Sequence, residues 1–256
     1  MTSTDHIAIV TGASSGIGQA AALQLARRGE RVILTYHGNG AGAERTVAEI
    51  AAAGGQAVAL ALDVSDAATF TAFAARVGDE LRTRWGRDTF DHLVNNAGFA
   101  QSASYAETTE DAFDALQRVT LKGPYFLTQR LLPLIADGGA IVNVTSSSAL
   151  PHGTSAGYSA YATMKGGVAV LTRYQAKELS PRGIRVNAIA PGPTRTRLGG
   201  DAFERFPEVI PPLVERTALG RLGEAEDVGR VIAALLGEDG GWVTGQHIEV
   251  SGGFDL

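Results

Sequence analysis

The chain has 256 residues, a length that one large α/β domain fills even against a prior of about 150 residues per domain. Its 22 Lys and Arg against 27 Asp and Glu leave a net charge of −5 without long runs of one sign, which argues against nucleic acid as the main partner. The absence of cysteine excludes a disulfide framework, a thiolate metal site and a cysteine nucleophile, and the 32 glycines follow no collagen-like period.

No stretch approaches roughly 18 consecutive apolar residues, and Met1-Thr2-Ser3-Thr4-Asp5-His6 lacks the basic-then-apolar profile of a signal peptide, so a soluble, cytoplasmic protein without a membrane partner is expected. Short β-rich runs predict seven strands, at 7–10, 32–35, 58–62, 92–94, 141–144, 186–190 and 248–250. Amphipathic stretches at 17–28, 43–53, 67–84, 111–134, 161–179 and 226–236 predict the helices between them. No linker or repeat marks a boundary, so 1–256 reads as a single domain. The alternation implies an α/β, doubly wound parallel sheet with helices on both faces. Ligands of such sheets bind beyond the carboxyl ends of the strands, where strand order reverses.

After the first strand comes Thr11-Gly12-Ala13-Ser14-Ser15-Gly16-Ile17-Gly18. Side-chain-free positions let backbone approach a pyrophosphate, and the following helix presents free N–H groups to its oxygens. The second strand ends Thr35-Tyr36-His37-Gly38-Asn39 without the carboxylate that would bind ribose hydroxyls and repel a 2′-phosphate. Together with Ser14 and Ser15, Tyr36, His37 and Asn39 therefore favour NADP(H), with NAD(H) as the alternative, although no Arg or Lys stands in the turn and His37 also suits a plain surface turn. Asp63-Val64, ending the third strand, suits an adenine edge or, equally, a helix cap.

Asn95-Asn96-Ala97-Gly98 follows the fourth strand, Tyr161-Ala162-Thr163-Met164-Lys165 opens a helix behind a Ser-rich loop, and Pro191-Gly192 follows the sixth strand. With the glycine turn, these motifs resemble those of the short-chain dehydrogenase/reductase family over essentially the whole chain. The resemblance implies a seven-stranded Rossmann fold, a nicotinamide dinucleotide, hydride transfer between nicotinamide and a small ketone or secondary alcohol, and a homotetramer or homodimer. The nearest flavour is the 3-oxoacyl carrier-protein reductase-like group.

Tyr161 and Lys165, spaced i, i+4, share a helical face, and an adjacent ammonium favours a phenolate whose unperturbed pKa is about 10. The pair reads as a general acid/base and its activator, with Lys165 holding the nicotinamide ribose by resemblance. Tyr158 has Ala162 four residues on and lacks such a partner. Of the hydroxyls in Thr145-Ser146-Ser147-Ser148, strand register selects Ser146 as partner to the substrate oxygen, whereas the family's usual spacing before the tyrosine selects Ser148. Thr120 occupies the place of the family's Asn in a proton relay, and its single hydroxyl offers less than an amide. By resemblance Thr194 lies near the carboxamide and Thr196 near the pyrophosphate. Residues 197–216, rich in Pro and apolar side chains, read as a substrate lid. A non-catalytic dinucleotide-binding module with the same fold is the rival reading.

Overall fold

The computed structural model describes residues 5–196 and 203–256. Seven strands, β1 (Ile7–Val10), β2 (Arg31–Tyr36), β3 (Ala57–Ala61), β4 (Phe90–Asn95), β5 (Ile135–Val144), β6 (Arg185–Pro191) and β9 (His247–Val250), form one sheet in the order β3-β2-β1-β4-β5-β6-β9. Every pairing is parallel. β7 (Thr194–Arg195) and β8 (Gly223–Glu224) form a separate two-stranded ribbon, too short for sequence periodicity to reveal.

All four residues of β1 are buried, because a parallel sheet covered on both faces leaves no polar side. Its alternation sends Ala8 and Val10 into a core with Leu25, Leu34, Ile50 and Ile232, and Ile7 and Ile9 into a second core with Phe70, Phe90, Leu93 and Val186. Helices α1 (Gly16–Arg27) and α2 (Gly40–Ala52) cover the first face together with α8 (Ala225–Leu236), and α3 (Phe70–Trp85) covers the second. Since the chain leaves β1 on one side and enters β4 on the other, the crevice at their carboxyl ends is the topological switch point.

The predicted 111–134 helix is broken. It consists of α4 (Glu110–Gln117), a π turn over Arg118–Lys122, α5 (Gly123–Leu131) and a 3-10 turn over Leu132–Leu134, after which β5 begins, six residues before the predicted 141. Pro124 has no N–H to give the carbonyl four residues back, and the Gly123 N–H instead bonds to Arg118 O, five residues back. Gly123 also abuts the Val64 carbonyl so closely that no side chain fits there. α6 (Ser159–Leu179) starts two residues earlier than predicted. Of the expected lid, 197–202 lie outside the described residues, and α7 (Ile210–Glu215) closes the segment.

The first face depends on close contact between α1 and α8. A Cβ at Gly229 would lie 2.8 Å from the Ala20 carbonyl carbon and 3.0 Å from Ala21 N, both backbone atoms. Gly229→Ala should therefore cost about 1–3 kcal/mol through overpacking. Thermal unfolding tests this; an unchanged midpoint would mean that the two helices are not held at that separation.

Candidate active site

The switch point is tied shut by one threonine and one asparagine. Thr11 N and Oγ1 both donate to Val94 O, at 3.0 and 3.1 Å, and Thr11 Oγ1 accepts from the backbone N–H groups of Asn96 and Ala97 at 2.9 and 3.0 Å. Asn96 Nδ2 donates to the Thr11 and Gly12 carbonyls at 2.9 and 3.2 Å, where a Cβ on Gly18 would collide with it at 2.5 Å. Asn95 points elsewhere: its Nδ2 donates to Thr128 Oγ1 at 2.9 Å and Asn143 Oδ1 at 2.8 Å. The side chains of these two asparagines are thus committed to holding the crevice in shape, and what faces it is backbone from Asn96 to Gly98.

The glycine turn has the chemistry of an anion cradle. Gly12 and Gly16 take φ of +65° and +58°, a region that other residues rarely adopt. Ser15 caps α1 without a side-chain hydrogen bond, and the first turn holds no acidic residue, so the helix leaves N–H groups and its positive end available. Ser14 and Ile17 lie partly exposed around this end, and a Cβ on Gly16 would stand 3.4 Å from Thr196. Gly192 follows Pro191 so close to Ser251 that a Cβ would meet it at 2.7 Å, and Thr194 Oγ1 donates to Gly192 O at 2.9 Å. These features fit a dinucleotide pyrophosphate passing between the turn and the segment after β6.

At the end of β2 the residues divide. Asn39 caps α2, accepting from Gly42 N at 3.1 Å and donating to Ser14 O at 3.4 Å, and Tyr36 packs beneath Gly40. Those contacts support the turn. His37 is exposed, with Nε2 3.7 Å from Asp63 Oδ2. Burial would raise the Asp63 carboxyl, but hydrogen bonds from Ser65 and the charge of His37 hold it below its ordinary value. Val64 stands beside it, its carbonyl against Gly123.

Tyr161 and Lys165 lie on the buried face of α6, 6% and 5% exposed. Lys165 Nζ donates to Val144 O at 2.8 Å and sits 5.7 Å from the Tyr161 ring centre. Ser146 stands close enough to the Tyr161 phenol to lower its pKa, and its Oγ accepts from Ser148 N at 3.2 Å, so Ser148 supports Ser146. Ser147 is buried. Burial pushes the Tyr161 phenol up to about 12, with the Ser146 hydrogen bond opposing the rise and Tyr158 adding to it. Burial likewise pulls Lys165 down to about 8. Desolvation is thus the largest influence on the phenol, and it acts against the lowering expected from a neighbouring ammonium. Thr120 lies in the π turn, 2% exposed, and its Oγ1 is buried without a hydrogen-bond partner.

Leu116, Tyr161 and Met164 pack with Phe99, Ala100, Leu121 and Tyr158 into an apolar cluster around the phenol. The loops beyond β4 and β5 meet above it, where Ala103 N donates to Gly157 O at 3.0 Å. His152, 3.1 Å from Glu249, ties the second loop to β9. The side-chain links between 99–103 and 150–158 carried no sequence signal.

A family model described as enoyl-(acyl carrier protein) reductase matches residues 12–255. An uncharacterized oxidoreductase of Methylorubrum extorquens is 38% identical over 250 residues, 96% of each chain. Among solved structures, the promiscuous reductase LugOII, which catalyses keto-reduction at C1 during lugdunomycin biosynthesis, superposes with a TM-score of 0.93 at 35% identity over all of both chains. The angucycline C-6 ketoreductase LanV with bound NADP gives a TM-score of 0.92 at 32% identity, covering 97% of this chain and 95% of its own.

The lysine environment is directly measurable, since the chain has three lysines. In cofactor-free protein the Lys165 ammonium should titrate near pH 8, identified by NMR of side-chain-labelled lysine as the resonance absent from Lys165→Met. Because the folded value lies below the ordinary 10.5, burial of this ammonium weighs fully on stability below about pH 8 and the penalty fades as pH rises towards 10.5. A midpoint at 10.5 would show that Lys165 is solvated.

Proposed function

The chain belongs to the short-chain dehydrogenase/reductase family of oxidoreductases, and on that premise we propose that it is an NADPH-dependent carbonyl reductase acting on a small ketone or aldehyde. The observation that carries this reading is the buried pair of Tyr161 and Lys165 with half-buried Ser146 beside it, at the carboxyl end of the sheet that also carries the glycine turn. The nicotinamide, when bound, supplies hydride to the carbonyl carbon or accepts it from the alcohol.

The chain's own part is to hold the carbonyl oxygen and move a proton. The Ser146 hydroxyl acts on the Tyr161 phenol, so a carbonyl oxygen that displaces this interaction can accept from both hydroxyls. A phenol raised to about 12 stays protonated at neutral pH, which is the form that gives a proton to a developing alkoxide. Lys165, fixed on Val144 O next to Gly98, holds the nicotinamide ribose and places positive charge near the phenol as it loses its proton. Thr120 supplies a weakened relay through a water on its orphaned hydroxyl.

Cofactor preference rests on the end of β2, where no carboxylate would repel a 2′-phosphate and His37 is exposed to meet one; NADP bound to the ketoreductase LanV supports the same choice. Gly12, Ser14, Ser15, Gly16, Ile17, Gly18 and Thr196 line the pyrophosphate, Asp63 and Val64 the adenine, and Ala97, Gly98, Pro191, Gly192 and Thr194 the nicotinamide side. We take the chain as a single domain, with 197–216 as its lid, that assembles as a homotetramer or homodimer in the cytoplasm. Among the described residues, no helix is long and apolar enough to cross a membrane.

Purified protein should bind NADPH more tightly than NADH in a fluorescence titration and oxidise it with members of a ketone and aldehyde panel. Tyr161→Phe should abolish turnover while NADPH still binds; turnover retained in this variant would remove Tyr161 from the acid–base role, and no turnover by the wild type would favour a non-catalytic dinucleotide-binding module. Thr120→Val should lower kcat by less than the about 10²–10⁴-fold credited to a direct acid–base group, and an unchanged kcat would remove Thr120 from the relay.

A further inference from the structure

At the opposite end of the sheet, where β1, β2 and β4 begin, His6, Glu30 and His92 come together. His6 immediately precedes β1, Glu30 immediately precedes β2, and His92 lies in β4 opposite Ala8. We propose that these three side chains form a site for a divalent first-row transition ion, with Zn²⁺ the best match, that staples three adjacent strands at their amino ends.

The donor atoms are already assembled. His92 Nδ1 lies 2.8 Å from Glu30 Oε2, and one donor atom from each of the three residues falls within 4.8 Å of the others. The two imidazoles meet edge to face, centres 5.1 Å apart at 73°. A tetrahedral ion with bonds of about 2.0–2.1 Å holds its ligand atoms about 3.4 Å apart. The His92–Glu30 contact opens slightly to reach that spacing, and the longest separation closes by rotation of His6, which is partly exposed while the other two are buried. The partly exposed side leaves a fourth position for water.

Charge points the same way. Each neighbouring guanidinium has its own carboxylate: Arg31 pairs with Asp5 at 2.6 Å, and Arg87 with Asp91 at 3.1 Å, while Asp91 also accepts from Ile7 N at 2.8 Å. Glu30, 4% exposed, faces imidazoles. A divalent cation would neutralise this buried carboxylate and take up ring nitrogens of both histidines in one centre, replacing the His92–Glu30 contact. Two nitrogens and one carboxylate oxygen suit Zn²⁺ and its neighbours in the first row, and disfavour Ca²⁺ and Mg²⁺, which take oxygen shells.

The test uses full-length protein without a histidine tag, stripped by chelator and titrated with Co²⁺ as a spectroscopic probe. The expected result is one Co²⁺ per chain with the visible absorption of a four-coordinate ion, displaced by one equivalent of Zn²⁺, and a thermal midpoint that rises with Zn²⁺. His6→Ala and Glu30→Gln should each weaken binding by more than the about 10–100-fold that loss of an outer-shell partner costs. His6 is partly exposed, so its variant keeps the test valid even if replacing His92 unfolds the chain. Absence of stoichiometric binding, or affinity unchanged in both variants, would overturn the proposal.

Discussion

A buried ammonium must have an acceptor, and Lys165 has the Val144 carbonyl, 2.8 Å away at the end of β5. With the bonds from Asn143 Nδ2 to Thr172 Oγ1 and Gln175 Oε1, both 2.9 Å, this bond ties α6 to β5 along the helix face. With α6 so held, Tyr161, one helical turn earlier, faces the strand end where the chain emerges as Ser146. The cost of the arrangement is visible in both groups, the amine pulled down and the phenol pushed up by the same desolvation. A neutral phenol beside a still-charged amine is the resting state of a proton donor.

The cofactor crevice depends on a second economy of space. Thr11 and Asn96 lock the carboxyl ends of β1 and β4 together, and they do so only because Gly18 leaves room for the Asn96 amide. The glycines of the first turn therefore serve two purposes: Gly12 and Gly16 take backbone conformations that other residues rarely adopt, and Gly18 admits a side chain from the neighbouring loop. Asn39 extends the brace from the other side by reaching the Ser14 carbonyl.

The strands were readable because both faces of the sheet are covered, which turns each strand into an apolar run bounded by turn residues. Tyr161 and Lys165 were readable because a helix converts a four-residue spacing into a shared face. The π turn at Thr120 was not, since Pro124 sits where a helix can begin as well as break, and one added residue scarcely disturbs the apolar period. The side-chain partners of Asn95 were not readable for a related reason: its amide reaches Thr128 and Asn143, 33 and 48 residues away. His6, Glu30 and His92 are invisible in sequence, because parallel pairing through crossovers alone brings them together.

The central claim is that Tyr161 is a neutral phenol in the protein before cofactor binds. Ultraviolet absorbance of phenolate, recorded against pH for the wild type minus Tyr161→Phe in cofactor-free protein, tests it directly among the six tyrosines. With the phenol at about 12, the difference should show no ionisation below the alkaline limit of the fold. One phenolate appearing near neutral pH, and missing from the variant, would contradict the account.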